Sequence, residues 1–334
     1  MTERELTEPV SLTLPDGRLN PAAVGWARHP IVDTSGIGPG ARGRGRNKRW
    51  EYWNVITPTH ILALTVSSID YAAVHGVWIF DCATQRSWSR DTTVIPARGV
   101  EVPGVLGAGP ARARAKGLRI DIDTDAETTR LRAEIPDASF DVTVHRPDGH
   151  ECLAVVVPFR NPARFQYTVK DLALPASGTV TVDGVTHAVP AGASWAVLDH
   201  GRGRWPYDVR WNWGAGSGVS EGRILGLQVG GQWTDGTGVT ENGVIIDGRL
   251  HKIHDELRWD YDLTDPLRPW RVTGGGLDAT LEPFYDKRSA TNLGVLSSRT
   301  DQCFGRWSGT FRTDEAAVSF DGIDGWAEDV HNRW

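Results

Sequence analysis

Thr179-Val180-Thr181-Val182 runs into Asp183-Gly184 and leaves as Val185-Thr186-His187-Ala188-Val189. Side chains alternate across a strand with a period of two, and β-branched residues suit that pleated surface. A two-residue Asp-Gly link accepts positive φ at both positions, as in the type I′ turn that matches the twist of paired strands. The stretch reads as a β-hairpin. Gly243-Val244-Ile245-Ile246, Asp247-Gly248 and Arg249-Leu250-His251-Lys252-Ile253 repeat the pattern, and Asp-Gly also stands at 16, 148, 235, 321 and 324. Working outward, β-branched and aromatic content predicts strands at 50–57, 60–69, 73–80, 118–123, 129–135, 140–146, 152–158, 164–170, 193–199, 223–230, 256–262, 277–282, 292–299, 303–312 and 317–323. No amphipathic helix longer than two turns stands out. Short strands joined by turns imply sandwiches or barrels, and a sheet this wide closes or splits into two packed units. The expectation is an all-β protein of two antiparallel β-barrel or sandwich halves packed together.

A chain of 334 residues suits two domains or one large all-β unit. Gly201–Gly222 is glycine-rich and parts two strand-rich halves, which puts the expected division at 1–200 and 201–334. The net charge of −6 is spread along the chain and argues against nucleic acid as a partner. Cys82, Cys152 and Cys303 are too scattered for a disulfide framework or a Cys-x-x-Cys pair, which favours a reducing compartment. No apolar run approaches the roughly 18 residues of a membrane span. Met1-Thr2-Glu3-Arg4-Glu5 leads into no apolar signal core, so the expected location is cytoplasmic.

Fifteen Trp against eight Phe and one Met is an unusual balance. Indoles either fill a core or wall a cavity, and each buried N–H needs a partner. The stretch Asp199-His200-Gly201-Arg202-Gly203-Arg204-Trp205-Pro206-Tyr207, with Trp211-Asn212-Trp213 after it, admits three readings. In the structural one, the indoles are core plugs and the arginines pair with carboxylates. In the catalytic one, Asp199 and His200 are donor and base, although consecutive strand residues point apart and at most one faces a ligand. In the binding one, Trp205, Trp211, Trp213 and Trp233 stack on a ligand, with Arg204, Tyr207 and Asn242 as polar contacts.

Thr237–Gly243 either forms a turn or places Glu241 at a barrel mouth. His251-Lys252-Ile253-His254 lacks the spacing of H-E-x-x-H, and positions i and i+3 of a strand face opposite sides, so no metal site is expected there. The Gly/Arg segment 36–49 suits an anion through glycine N–H groups and guanidinium forks, but it lacks the Walker and dinucleotide patterns, and a solvated loop is the favoured account of it. No G-x-S-x-G nucleophile is present.

Asp199, Gly201-Arg202-Gly203, Trp205-Pro206, Trp211-Asn212-Trp213, Thr240-Glu241-Asn242, Asp247-Gly248, Leu250-His251-Lys252, Gly325-Trp326-Ala327-Glu328 and Arg333-Trp334 together resemble the bacterial "domain of unknown function 2804" family, nearly end to end. That family is distantly similar to tandem lipocalin-like (calycin) proteins, among them carotenoid 1,2-hydratases, tocopherol cyclase and lipid-binding members. The resemblance implies two lipocalin-like halves with an apolar cavity in or between them. The expected function is cofactor-independent acid–base chemistry (hydration, dehydration, isomerisation or cyclisation) on a small apolar or amphipathic molecule. His200, Glu241 and His251 are the expected proton-transfer residues. A hydrophobic-ligand carrier is the alternative, and a carbohydrate-binding or glycoside-hydrolysing protein the third. No redox cofactor or metal is implied, and the oligomeric state stays open.

Overall fold

The computed structural model describes residues 3–38, 42–292 and 297–333. Both hairpins form where the alternation puts them. Thr179–Val182 pairs with Val185–Thr186 and on to Val189, and Asn242–Ile246 pairs with Arg249–Ile253. Asp183 and Asp247 adopt φ of 48° and 49°, and the glycines after them 80° and 81°, as the type I′ turn requires.

The described strands fall into two large antiparallel sheets, each curled into a half-barrel, plus one small parallel pair at Val10–Ser11 and Val32–Asp33. The first sheet takes the chain from Gly25 to Arg204. The second starts at Asp208 and orders its nine strands as a meander, with Ala317–Arg333 inserted between Asp208–Ser220 and Ser297–Arg312.

One strand, Phe165–Val182, serves two parts of the first sheet. Its first residues pair with Leu153–Pro158 and Trp195–Arg204; its last pair with Ala138–His145 and Val185–Val189. The register shifts between Asp171 and Leu174, where Ala173 takes a φ of 57°. Such a bulge bends a strand and lets it change partners. Across the gap, Ser217 Oγ of the second sheet accepts the Ala173 N–H at 2.9 Å. A Cβ on Gly226 would lie 3.1 Å from that of Leu172 and 3.2 Å from that of Ala173, so glycine lets the halves meet there.

Period-two alternation then sorts side chains among separate cores. Residues such as Leu64, Ile79, Ile120, Leu131 and Val142 fill the first half-barrel. Leu227, Val244, Trp270, Trp307 and Phe320 fill the second. A third core lies between the two sheets and draws on both: Trp78, Phe80, Val155 and Trp205 from the first, Trp213, Trp233, Phe304 and Trp326 from the second. In Asp208–Ser220, Trp211, Trp213 and Ala215 face this central layer. Gly214 and Gly216 face the second interior, where a Cβ would come within 2.9 and 2.8 Å of the Trp307 ring.

Three sequence expectations are corrected. Segment 292–299 is not one strand: Asn292 and Ser297 pair with each other from Leu277–Asn292 and Ser297–Arg312, and 293–296 lie outside the described residues. Segment 201–222 is mostly strand, in Trp195–Arg204 and Asp208–Ser220, and its glycines at 201, 214 and 216 leave space that the Trp50 and Trp307 rings take. Arg86–Val94 is a strand that the sequence reading passed over, its largely exposed Arg, Ser and Thr residues giving no apolar alternation. Residues 39–41 of the Gly/Arg segment, and Trp334, are outside the described residues. Among those described, no helix is long and apolar enough to cross a membrane, and no group of three or more His, Cys, Asp or Glu is placed to hold a metal ion.

Candidate active site between the two sheets

Three adjacent strands of the first sheet present polar groups to the central layer. Lys170 lies opposite Asp199, and Asp199 opposite Tyr52; the next row along aligns Thr168, Gly201 and Trp50. A Cβ on Gly201 would fall 2.1 Å from the Trp50 ring, so glycine there allows that indole to lie across the strand. From this position Trp50 Nε1 donates to Asp199 Oδ2 at 3.0 Å, while Thr168 Oγ1 donates to Oδ1 at 2.9 Å.

The second sheet faces this row with one of its own, in which Trp213 lies opposite Glu328 and Glu328 opposite Gln302. Trp211 Nε1 donates to Glu328 Oε1 at 2.9 Å and Gln302 Nε2 to Oε2 at 3.0 Å. Glu241 enters from the segment ahead of the second hairpin. A Cβ on Gly230 would lie 2.3 Å from its Cγ, so the seat of Glu241 depends on that glycine. Trp233 Nε1 donates to Glu241 Oε1 at 2.5 Å.

Lys170 joins the rows. Its Nζ lies 3.1 Å from Asp199 Oδ1, 3.6 Å from Glu241 Oε2 and 3.8 Å from the centroid of the Trp213 ring. Burial alone would discharge this ammonium, but the carboxylates of Asp199 and Glu241 outweigh it and hold the pKa above the usual lysine value. Burial pushes Glu241 upward against the pull of Lys170. It pushes Glu328 up to about 7 against the indole N–H of Trp211. The site thus combines a fixed cation, a carboxyl that exchanges its proton near neutrality, and two more carboxyls in contact with the cation. Glu241 Oε2 is buried with no hydrogen-bond donor among the described residues.

Indoles form the wall. Trp205 and Trp233 stack at 5.2 Å, and Trp50 and Trp211 meet Trp205 edge-on at 5.8 and 5.5 Å. Phe159 lies 6.3 Å from both Trp205 and Trp233. On its outer side Trp233 lines an open depression of about 460 Å³ with Phe159, Pro206, Val209 and Gln232.

The structure brings together six of the residues singled out from sequence: Asp199, Glu241, Trp205, Trp211, Trp213 and Trp233. Others stand elsewhere. His200 points to the opposite face of its strand from Asp199, fully buried beside Tyr167. Burial and the nearby Arg202 drive its pKa well below the usual value. His251 is half-buried on the outermost strand of the second sheet, edge-on to Phe311. Arg204, on the His200 face, donates to Asn47 Oδ1 at 2.8 Å and to the carbonyls of Gly17 and Arg42. Asn242 accepts from Gly230 N at 2.7 Å and donates to the Asp255 carbonyl, holding the segment that carries Glu241. Tyr207 is exposed, under the Arg333 guanidinium. Lys170, Thr168, Trp50, Tyr52, Gln302 and Glu328 were not among the expected site residues. The alternation of Gln166, Thr168 and Lys170 looks like a solvent face until a second sheet covers it.

With that geometry in place, likeness to known proteins becomes informative. This chain belongs to the DUF2804 family. The family, described as a domain of unknown function, matches residues 3–334. No protein of curated function matches the chain. Among solved structures, this DUF2804 fold is similar to kievitone hydratase from Nectria haematococca, with a TM-score of 0.55 and 12% identity over 92% of this chain and 94% of that one. It is also similar to CghA, with a TM-score of 0.51 and 11% identity over 86% and 88% of the two chains. At these identities the likeness is one of fold.

Proposed function

We propose that this protein is a cofactor-independent acid–base enzyme of hydratase type, acting on an apolar or amphipathic small molecule between the two sheets. The observation that carries the reading is the set of three carboxyls, Asp199, Glu241 and Glu328, gathered around Lys170 behind an indole wall. A carboxylic acid kept neutral by burial can protonate a weakly basic carbon, which an exposed carboxylate at neutral pH cannot. Glu328 has that property. In a hydration, its proton passes to one carbon of a double bond, the other carbon becomes electron-deficient against the indole faces, and water adds there. Asp199, fixed by Lys170, Trp50 and Thr168, takes the proton released by that water. The sum is addition of one water, and the reverse path is dehydration. Glu241 is a second acid or a positioning group for Lys170. The fold likeness to a hydratase favours hydration among the acid–base reactions considered.

Native mass spectrometry of freshly purified protein, followed by organic-solvent extraction, identifies the bound molecule. Returning it to the protein in ¹⁸O-water is expected to give a product heavier by one labelled water, or the corresponding dehydrated species. Glu328→Gln and Asp199→Asn are expected to lower that turnover at least about a hundred-fold, the lower range for a lost general acid or base. Full turnover in both variants defeats the assignment. Stoichiometric binding with no conversion by the native protein makes it a carrier.

A further inference from the structure

We infer that the substrate is a conjugated carbonyl compound, with a C=O joined to the double bond that takes up water, and that Lys287 holds its carbonyl oxygen. The inference rests on the acid–base site proposed above and adds the substrate class and a further catalytic residue.

The register gives the placement. In the second sheet the row Trp213, Glu328, Gln302 runs one strand further, to Lys287. The facing row of the first sheet, Lys170, Asp199, Tyr52, runs on through Thr65 and Gly76 to Asp91. Lys287 and Glu328 are two strands apart, roughly 10 Å between backbones. The Gln302 amide bridges their head groups: its Oε1 accepts from Lys287 Nζ at 3.4 Å and its Nε2 donates to Glu328 Oε2 at 3.0 Å.

Lys287 stands at the open end of this row. Tyr52, Thr65, Gly76 and Lys287 are partly exposed, whereas Lys170, Gln302 and Glu328 are buried. One row further out, Val74 and Ser289 are exposed. On the inner side lie aromatic rings: Trp78 stacks on Phe304 at 5.2 Å, and the Lys287 ammonium sits 4.6 Å from the Trp78 centroid. An ammonium has three donors. Among the described residues one acceptor takes one of them, through the long bond to Gln302. Burial lowers the lysine pKa, and the carboxyls that oppose this, Asp91 and Glu328, lie beyond ion-pair distance.

An isolated alkene gives a second cation nothing to hold. A double bond conjugated to a carbonyl does, because the oxygen gains negative charge as water adds. The O=C–Cα unit of such a compound spans two bonds, as does the O=C–N unit of the Gln302 amide. Lying along that amide, the compound presents its oxygen to Lys287 and its α-carbon to Glu328. The water oxygen bonds to the β-carbon and its proton passes to Asp199. The double-bond pair shifts toward the carbonyl, and the resulting enolate oxygen bears its charge against the ammonium. Glu328 gives its proton to the α-carbon, the C=O re-forms, and the sum is one added water. A cation fixed where charge develops stabilises the transition state more than the ground state.

Isothermal titration calorimetry with benzylideneacetone and trans-β-methylstyrene, the same styryl group with and without a conjugated carbonyl, tests this. The native protein is expected to prefer the ketone by about ten-fold, one charge-assisted contact. The absorption band of the bound ketone is expected to move to longer wavelength, as it does when an enone oxygen accepts from a cation. In Lys287→Met the preference is expected to fall below about two-fold, less than a typical hydrogen bond contributes. The band shift is lost there while the hydrocarbon binds as before, and Lys287→Arg keeps the shift. Equal affinities without a band shift in the native protein, or both effects persisting in Lys287→Met, overturn the inference and leave the proposed acid–base site intact. The native measurement can overturn it whether or not Lys287→Met folds. Binding of neither probe overturns both.

Discussion

At the scale of single residues, the chemistry turns on how far burial moves each carboxyl. Glu328 keeps its proton in the folded protein up to about pH 7, against a usual value of 4.5. In the unfolded chain the proton leaves near that usual value. Between the two, the folded state binds more protons, so stability is greatest below pH 4.5 as far as this group is concerned and falls as pH rises through 7. The loss amounts to about 3 kcal/mol over that window. Glu328→Gln cannot titrate, so its stability relative to the native protein is expected to improve by that order between pH 5 and pH 8, measured by urea unfolding at each pH. A constant difference defeats the elevated pKa. Trp211 bears on the same group, since its N–H favours the charged form. Gly230 controls the other buried acid. Gly230→Ala places a methyl within 2.3 Å of the Glu241 Cγ, and is expected to displace that carboxyl from Trp233 at a cost of about 1–3 kcal/mol. The check is a crystal structure with thermal melting: Glu241 still bonded to Trp233 in the variant contradicts it.

At the scale of strands, alternation decides which neighbours share a site. Asp199 and His200 are adjacent in sequence and belong to different environments, Asp199 in the central layer and His200 among Tyr167, Glu51 and Arg202 on the far face. Asp199→Asn is therefore expected to abolish conversion of the extracted ligand while His200→Gln retains most of it, judged by kcat; equal loss in both sinks the orientation argument. This contrast also shows what was readable beforehand. The hairpins at 183 and 247 were legible because Asp-Gly chemistry and period two are local properties. So was the incompatibility of Asp199 and His200 facing one ligand. Lys170 was not legible, because a lysine alternating with Phe165, Tyr167 and Val169 has the pattern of a solvated face. Only the second sheet, which starts at Asp208, turns that face inward. The glycines at 201, 214 and 216 suggested a linker for a related reason: the indoles that occupy their missing side-chain space, Trp50 and Trp307, come from distant strands.

At the scale of the whole molecule, the same charged cluster that supplies the chemistry also fastens the halves. Lys170 and Asp199 belong to the first sheet, Glu328 to the second, and Glu241 to the segment that leads into the second sheet's strand Asn242–Ile246. Gln302 links them again, donating to Glu328 and, at 3.4 Å, to the Tyr52 hydroxyl. Near the chain start, Glu3 Oε1 accepts from Thr240 N at 3.1 Å and from the Lys252 ammonium at 2.8 Å, so an N-terminal segment clasps the residue next to Glu241. Removing the cation leaves buried carboxyls facing one another without compensation, which costs about 3–5 kcal/mol for a broken buried pair. Lys170→Met is expected to lose that much stability. Because the damage lies at the contact between sheets, it is expected to separate one cooperative melt into two transitions. Lys170→Met/Glu241→Gln removes one of the stranded carboxyls and is expected to recover part of the loss, since neutral groups of similar shape replace the pair more cheaply than half a pair does. Differential scanning calorimetry of the three proteins decides it. A single transition at the native temperature in Lys170→Met means the cluster does not hold the halves together. A double variant less stable than the single one means the Glu241 carboxyl is stabilised by something other than Lys170, with its Trp233 bond the next group to test.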